Sequence, residues 1–344
     1  MVVLAASGLL AGCTTLGYYW QSIDGQWEML RVRQPISSVL ADPSTPPELR
    51  SKLARVLEIR EFASRELKLP DNMSYRGYAD VRRDFVVWNV FATDEFSIVP
   101  RQWCFPIAGC VGYRGYFAKA AAEKFAHEQR SLGLDAYVGG VPAYSTLGWF
   151  DDPVLNTVIR YPDYELARLI FHELAHQVAY AKNDSEFNES FAVAVEVEGM
   201  RRWAAVHGDA RMRAAFEQAQ TRRAQFTALV LKYRGELDVL YRSSGLAADA
   251  MRKRKAALLA AMVEDYQWLK KEWGGYAGYD PFFAGVNNAG LASIAIYHSL
   301  VPRFQQLLAQ RKGDLVQFYE DVKRLAVLGK DERLKALVDK REMD

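Results

Sequence analysis

The stretch His172-Glu173-Leu174-Ala175-His176 constrains this chain more than any other. It reads H-E-x-x-H. Each helical residue turns about 100°, so four residues bring His176 back to within about 40° of His172. Both imidazoles then leave one face and can hold one metal ion, with Glu173 one step round and in reach of a water on it. Zn2+ needs such a layout: nitrogen ligands at about 2.0–2.1 Å, and an open position where water is acidified towards a pKa of about 7. Pro162 and Asp163 read as the start signal, with Asp163 as N-cap, and 164–181 contains neither Gly nor Pro. Leu166, Leu169, Ile170, Phe171, Leu174 and Val178 make this a core helix. Two His and a Glu within it need partners, because burying an unpaired polar group is unfavourable.

The following helix offers Glu186, Glu189 and Glu196. The polar run 182–185 forms the turn, with Ser185 as N-cap. His176 lies roughly 7.5 Å before that turn and Glu189 roughly 6 Å after it. Antiparallel packing sets the two level. Glu186 is too near the turn, and Glu196, roughly 16 Å beyond it, overshoots both histidines. Glu189 is therefore the expected third ligand, and Glu196, on the same face, a supporting group.

HELAH followed by Asn188-Glu189-Ser190-Phe191-Ala192 resembles the gluzincin metallopeptidases, above all the zinc aminopeptidases whose second motif reads N-E-x-F-A. It is similar also to a family of bacterial proteins described as zinc aminopeptidases, with Trp-, Cys- and Gly-marked segments shared over most of the chain. The resemblance implies a zincin-like core and a peptide substrate. It implies Zn2+ held by His172, His176 and Glu189, Glu173 as general base, and an aminopeptidase rather than an endopeptidase. It implies a Tyr or His donor to the oxyanion, for which Tyr297 and His298 are the candidates; a core-packing role is the plainer reading of both. The spacing from His176 to Glu189 is shorter than in the well-known aminopeptidases. No G-x-M-E-N segment, with which those enzymes bind the substrate's free amine, is present. The rival function is a non-catalytic zinc-binding envelope lipoprotein serving as a scaffold for partners. Glu173 speaks against it, since a site that only binds needs no base.

Leu10-Ala11-Gly12-Cys13, after an apolar run of small residues, resembles a bacterial lipoprotein signal, although no Lys or Arg precedes the run. That implies cleavage before Cys13, lipid on Cys13, and a membrane-anchored protein of the cell envelope facing the periplasm. A short buried N-terminal segment is the alternative. The run 1–16 falls short of the roughly 20 apolar residues that span a bilayer. Cys104 and Cys110 can close a small loop through Pro106 and Gly109, as an oxidising envelope permits, or remain as buried thiols. A net charge of +2 gives no reason to expect nucleic acid, and Arg252-Lys253-Arg254-Lys255 reads as a solvated helix face.

The expected fold is α+β and mostly helical: a zincin-like metallopeptidase core with a small sheet, then a long helical region. Its parts are a signal (1–12), a connector (13–47), the catalytic core (48–206), a helical hairpin (207–273) and a C-terminal part returning to the core (274–344). Helical stripes are read at 48–66, 118–132, 185–206, 211–241, 247–273 and 315–340, and strands at 85–92, 96–99, 136–141 and 144–150. Val141 to Phe150 is the candidate edge strand over the metal. Asp151 and Asp152 at its end either cap a turn or hold a substrate amine.

Overall fold

In the computed structural model of the protein, residues 27–105, 109–143, 146 and 149–338 are described. Cys13 lies outside them, as do the side chains of Tyr297 and His298.

The elements run β1 (Gln34–Pro35), α1 (Ile36–Ala41), α2 (Pro47–Arg65), β2 (Gly77–Ala79), β3 (Val87–Thr93), β4 (Trp103–Phe105), β5 (Gly109–Val111), β6 (Arg114–Tyr116), α3 (Lys119–Ser131), β7 (Asp135–Val141), β8 (Val154–Leu155), α4 (Asn156–Ile159) and α5 (Asp163–Ala175). Helices follow without interruption: α6 (Ser185–His207), α7 (Ala210–Arg242), α8 (Ala248–Glu272), α9 (Asp280–Phe283), α10 (Asn288–His298), α11 (Val301–Gln310), α12 (Leu315–Ala326) and α13 (Lys330–Val338). The fold is α+β and mostly helical, with small sheets and a long helical C-terminal region. Among the described residues no helix is long and apolar enough to cross a membrane.

Strand β3 is the centre of an antiparallel sheet in the order β6-β3-β7, with Asn89 facing Gly115 on one side and Gly139 on the other. A second sheet, β1-β2-β8, ties the first described strand to the segment that enters α4 and α5. Strands β4 and β5 form a hairpin in which Cys104 faces Cys110, and a disulfide joins the two.

Apolar burial divides the side chains into two main clusters. The larger gathers Leu53, Val56 and Ile59 of α2, Leu166, Ile170 and Leu174 of α5, and Phe187 and Phe191 of α6 with Phe304 and Phe318. The other joins α7 and α8 through Val230, Tyr233, Leu237, Met262 and Tyr266 to Phe282, Leu291 and Ile98. The hairpin expected over 211–241 and 247–273 is thus formed by α7 and α8 and has packing of its own.

Several local expectations are corrected. Phe96 to Val99 is not a strand: Ser97 N–H donates to Asp94 O (3.1 Å), and Phe96 and Ile98 are apolar because they pack against the hairpin cluster. Strand β7 stops at Val141. The described members of 142–150 are irregular, and Thr146 instead organises a turn, its Oγ1 accepting from Phe150 N–H at 3.1 Å. The expected edge strand therefore does not extend through Val141 to Phe150; its residues 144, 145, 147 and 148 lie outside the described set. Part of the connector is the helix α1, whose Ile36 is buried in the main core. The closing helix breaks into α12 and α13 at Gly329, where the Arg333 guanidinium donates to the carbonyls of Leu325 (3.1 Å), Ala326 (3.2 Å) and Leu328 (2.7 Å). These bonds satisfy the orphan acceptors that end α12.

Candidate metal centre

Helix α5 begins after Pro162, which is the N-cap; Asp163, expected there, is the first helical residue. The Asp163 carboxylate is turned to α2, accepting from Lys52 Nζ (2.8 Å) and Arg55 Nε (3.1 Å), so it staples helices rather than capping one. The helix ends at Ala175, and His176 is its C-cap, still in helical conformation (φ −60°, ψ −22°). The motif keeps its geometry although its last residue lies at the helix boundary.

The chain then reverses through 177–184. Asn183 takes a left-handed conformation (φ 66°), which Asn tolerates, and its Oδ1 accepts from Cys110 N–H at 2.7 Å. The N-cap of α6 is Asp184, whose carboxylate accepts from Phe187 N–H (3.2 Å); Ser185, expected there, is the first helical residue. Buried Asn188 closes the reversal: its Oδ1 accepts from Ala181 N–H (2.7 Å) and its Nδ2 donates to Ala181 O (2.8 Å). This fixes the residue next to Glu189. Further along, Gly199 lets the helices approach, for a Cβ there would lie 2.7 Å from the Phe171 ring.

Side-chain pairing fixes the direction. His176 meets Glu189, and His172, one turn earlier, meets both Glu189 and Glu196, so α5 and α6 run antiparallel. Glu189 Oε2 lies 3.3 Å from His172 Nε2 and 3.6 Å from His176 Nε2. The three side chains offer ligand atoms all within 4.8 Å of one another. Donors bonded at about 2.0–2.1 Å to a tetrahedral ion stand about 3.3 Å apart, close to the two Glu189–histidine separations, so these three residues are of a type and spacing that could hold Zn2+. Glu173 is buried beside them.

The other ring nitrogen of His172, Nδ1, lies 3.0 Å from Glu196 Oε2. A carboxylate only accepts, so this partner keeps a proton on Nδ1 and makes Nε2 the nitrogen that a metal would take on displacing the proton there. Glu196 is held in turn by Arg168 Nη1, at 2.9 and 3.1 Å to its two oxygens. His176 Nδ1 is buried and has no hydrogen-bond partner among the described residues.

Electrostatics follow the crowding. Burial draws the His172 imidazole down, but hydrogen bonds to Glu189 and Glu196 and the nearby carboxylate charges outweigh it and hold it up at about 10. Burial would raise Glu189, yet the His176 charge and the hydrogen bonds of both histidines bring it far below the usual carboxylate range. Glu196 is likewise held low, against burial, by Arg168 and His172. Burial pushes Glu173 up, against the pull of both imidazoles. Asp152 is raised to about 7, chiefly by burial, with Glu173 adding to the rise. Its Oδ2 accepts from Thr146 N–H at 2.9 Å, which closes the turn that precedes it.

Tyr297 and His298 end α10, which packs against α6, but their side chains lie outside the described residues. Three residues were not singled out from the sequence. Arg168 had a signal, an Arg one turn before His172 within an apolar helix. Arg223 had none. Half-buried Tyr180, just beyond the motif, has its hydroxyl pushed up by burial and then by the Glu189 charge.

Fold and site describe a mostly helical α+β protein in which two antiparallel helices present two imidazoles and a carboxylate of metal-ligand type. A family model described as "Putative aminopeptidase" matches residues 17–337, and the chain belongs to that family. Membership points to peptidase activity. No curated protein and no solved structure matches the chain.

Proposed function

We propose that the protein is a Zn2+-dependent peptidase, an aminopeptidase rather than an endopeptidase, anchored through lipid on Cys13 in the bacterial cell envelope and facing the periplasm. The observation that carries the zinc reading is the convergence of His172, His176 and Glu189 next to buried Glu173, in a chain of an aminopeptidase family.

In this reading His172, His176 and Glu189 hold the ion. Bound Zn2+ supplies polarisation of the scissile carbonyl and acidification of a water. The Glu173 carboxylate takes a proton from that water and passes it to the leaving amine. Glu196 keeps the His172 ring in the tautomer that binds metal. Tyr297 or His298 donates to the oxyanion. The Cys104–Cys110 disulfide favours an oxidising compartment, in line with the lipoprotein-type sequence before Cys13.

A panel of peptides with free and blocked amino ends, with and without a chelator, tests the activity. The reading expects free-amine peptides to be shortened from the amino end, with loss on chelation and recovery on adding Zn2+. Cleavage that survives chelation contradicts it, and cleavage of blocked peptides makes the protein an endopeptidase. Zinc uptake with no cleavage of any peptide favours the scaffold. For the anchor, fatty-acid labelling of cells should mark the wild type and not Cys13→Ser; equal labelling refutes it.

A further inference from the structure

A chain of charged side chains leads from the candidate centre to the helical hairpin. Glu196 Oε2 lies 3.0 Å from His172 Nδ1, and both Glu196 oxygens accept from Arg168 Nη1. Arg168 Nε donates to Glu165 Oε2 at 2.7 Å. From α7, Arg223 Nη2 donates to both Glu165 oxygens (2.9 and 3.3 Å), while its Nη1 stands 3.9 Å from Glu196 Oε1. Two carboxylates and two guanidiniums alternate, so the group is balanced in charge. The Glu196 side chain is 3% exposed and cannot turn to water for a substitute partner.

The arrangement gives Arg223 a leverage that its position in the hairpin does not suggest. A guanidinium is a rigid fork that can face two carboxylates at once. Without it, Glu165 and Glu196 compete for Arg168, and the oxygen that orients His172 loses part of its restraint. Groups behind a metal-binding histidine commonly tune affinity through such orientation. The hairpin has its own apolar cluster, while Met212 and Phe216 of α7 rest on the main core. Arg223 is thus where the seating of α7 reaches the histidine.

We propose that Arg223 is a positioning residue for the metal centre, through which the seating of the hairpin helix sets how tightly the ion is held. The inference rests on the zinc reading and adds a role for the hairpin. Linkage makes it reciprocal: if a seated hairpin tightens metal binding, bound metal must tighten the seating.

The test uses the full chain, with Zn2+ as the probe. Zinc affinity is measured by competition with a chromogenic chelator, and amide hydrogen exchange along 218–228 is followed with and without zinc. Wild type should bind zinc and show slower exchange there when loaded. Arg223→Ala should bind about two- to thirtyfold more weakly, and zinc should no longer slow those amides. Arg223→Lys keeps the charge and loses the fork, so it should fall between the two; it carries the test if Arg223→Ala does not fold. A general structural defect would alter exchange with and without zinc alike and leave the zinc-dependent difference in place. Wild-type affinity in both variants, or undiminished zinc-dependent slowing, overturns the inference alone. Wild-type protein that takes up no zinc overturns the zinc reading as well.

Discussion

Glu173 and Asp152 are both buried carboxyl groups, and the chemistry asks different things of them. In the proposed reading Glu173, one residue along from His172, moves a proton without being spent as a ligand. Replacing it by Gln keeps shape and burial and removes the base, so Glu173→Gln should retain bound zinc and lose about 10²–10⁴-fold in kcat. Unchanged turnover, measured beside metal content, would remove the general-base role. Asp152 should be visible in stability. Its folded pKa of about 7 lies above the ordinary 3.8, so between these values the native state holds more proton than the unfolded one. The unfolding free energy of metal-free protein should therefore fall as pH rises through that window and stay lowered above it, by up to about 4 kcal/mol. Asp152→Asn should remove this loss, melting higher than wild type at pH 8 and close to it near pH 4. Identical melting curves across the window would contradict the assignment. The motif residues were legible because H-E-x-x-H on a helix and the distance to the turn fix which side chains can meet. Asp152 was legible as a turn residue only, since burial beside Glu173 is made by segments distant in sequence.

The reversal between α5 and α6 decides whether Glu189 reaches the histidines. Asn188 ties both polar groups of Ala181; its loss orphans the buried Ala181 N–H, while Ala181 O keeps the Asp184 N–H at 3.3 Å. Asn188→Ala should cost about 1–3 kcal/mol for the orphaned Ala181 N–H, and it should weaken zinc binding, because the next residue is Glu189. Chemical denaturation and chelator competition check the two effects; a stable variant with wild-type zinc affinity would show that the clasp does not position Glu189. The helices were the readable part of the fold, since a sustained apolar stripe has few other solutions. Their caps were misplaced by one residue at Asp163 and at Ser185: Pro162 fixes the entry to α5, and Asp184 caps as well as Ser would. The strand read at 96–99 failed for another reason, and of the one read at 144–150 the described residues 146, 149 and 150 are not in a strand. Alternating apolar residues there serve a helical cluster or stay exposed, as Trp149 does at 71%, and local pattern cannot tell such packing from pairing in a sheet.

Across the molecule, the α+β, mostly helical class followed from the proportion and length of the helical stripes. The partition of the core did not. The hairpin cluster recruits Ile98, Phe282 and Leu291 from segments far along the chain, and no local periodicity records that association. The same long-range packing sets Arg223 beside Glu165 and Glu196. What the whole fold achieves at the centre is to bring two imidazoles and one carboxylate to a shared point, and metal content tests that most directly. Elemental analysis of protein purified without chelator should give about one zinc per chain in the wild type and none in Glu189→Ala or His172→Ala. Wild-type protein free of zinc and unable to take it up, or variants that keep it in full, would contradict the account.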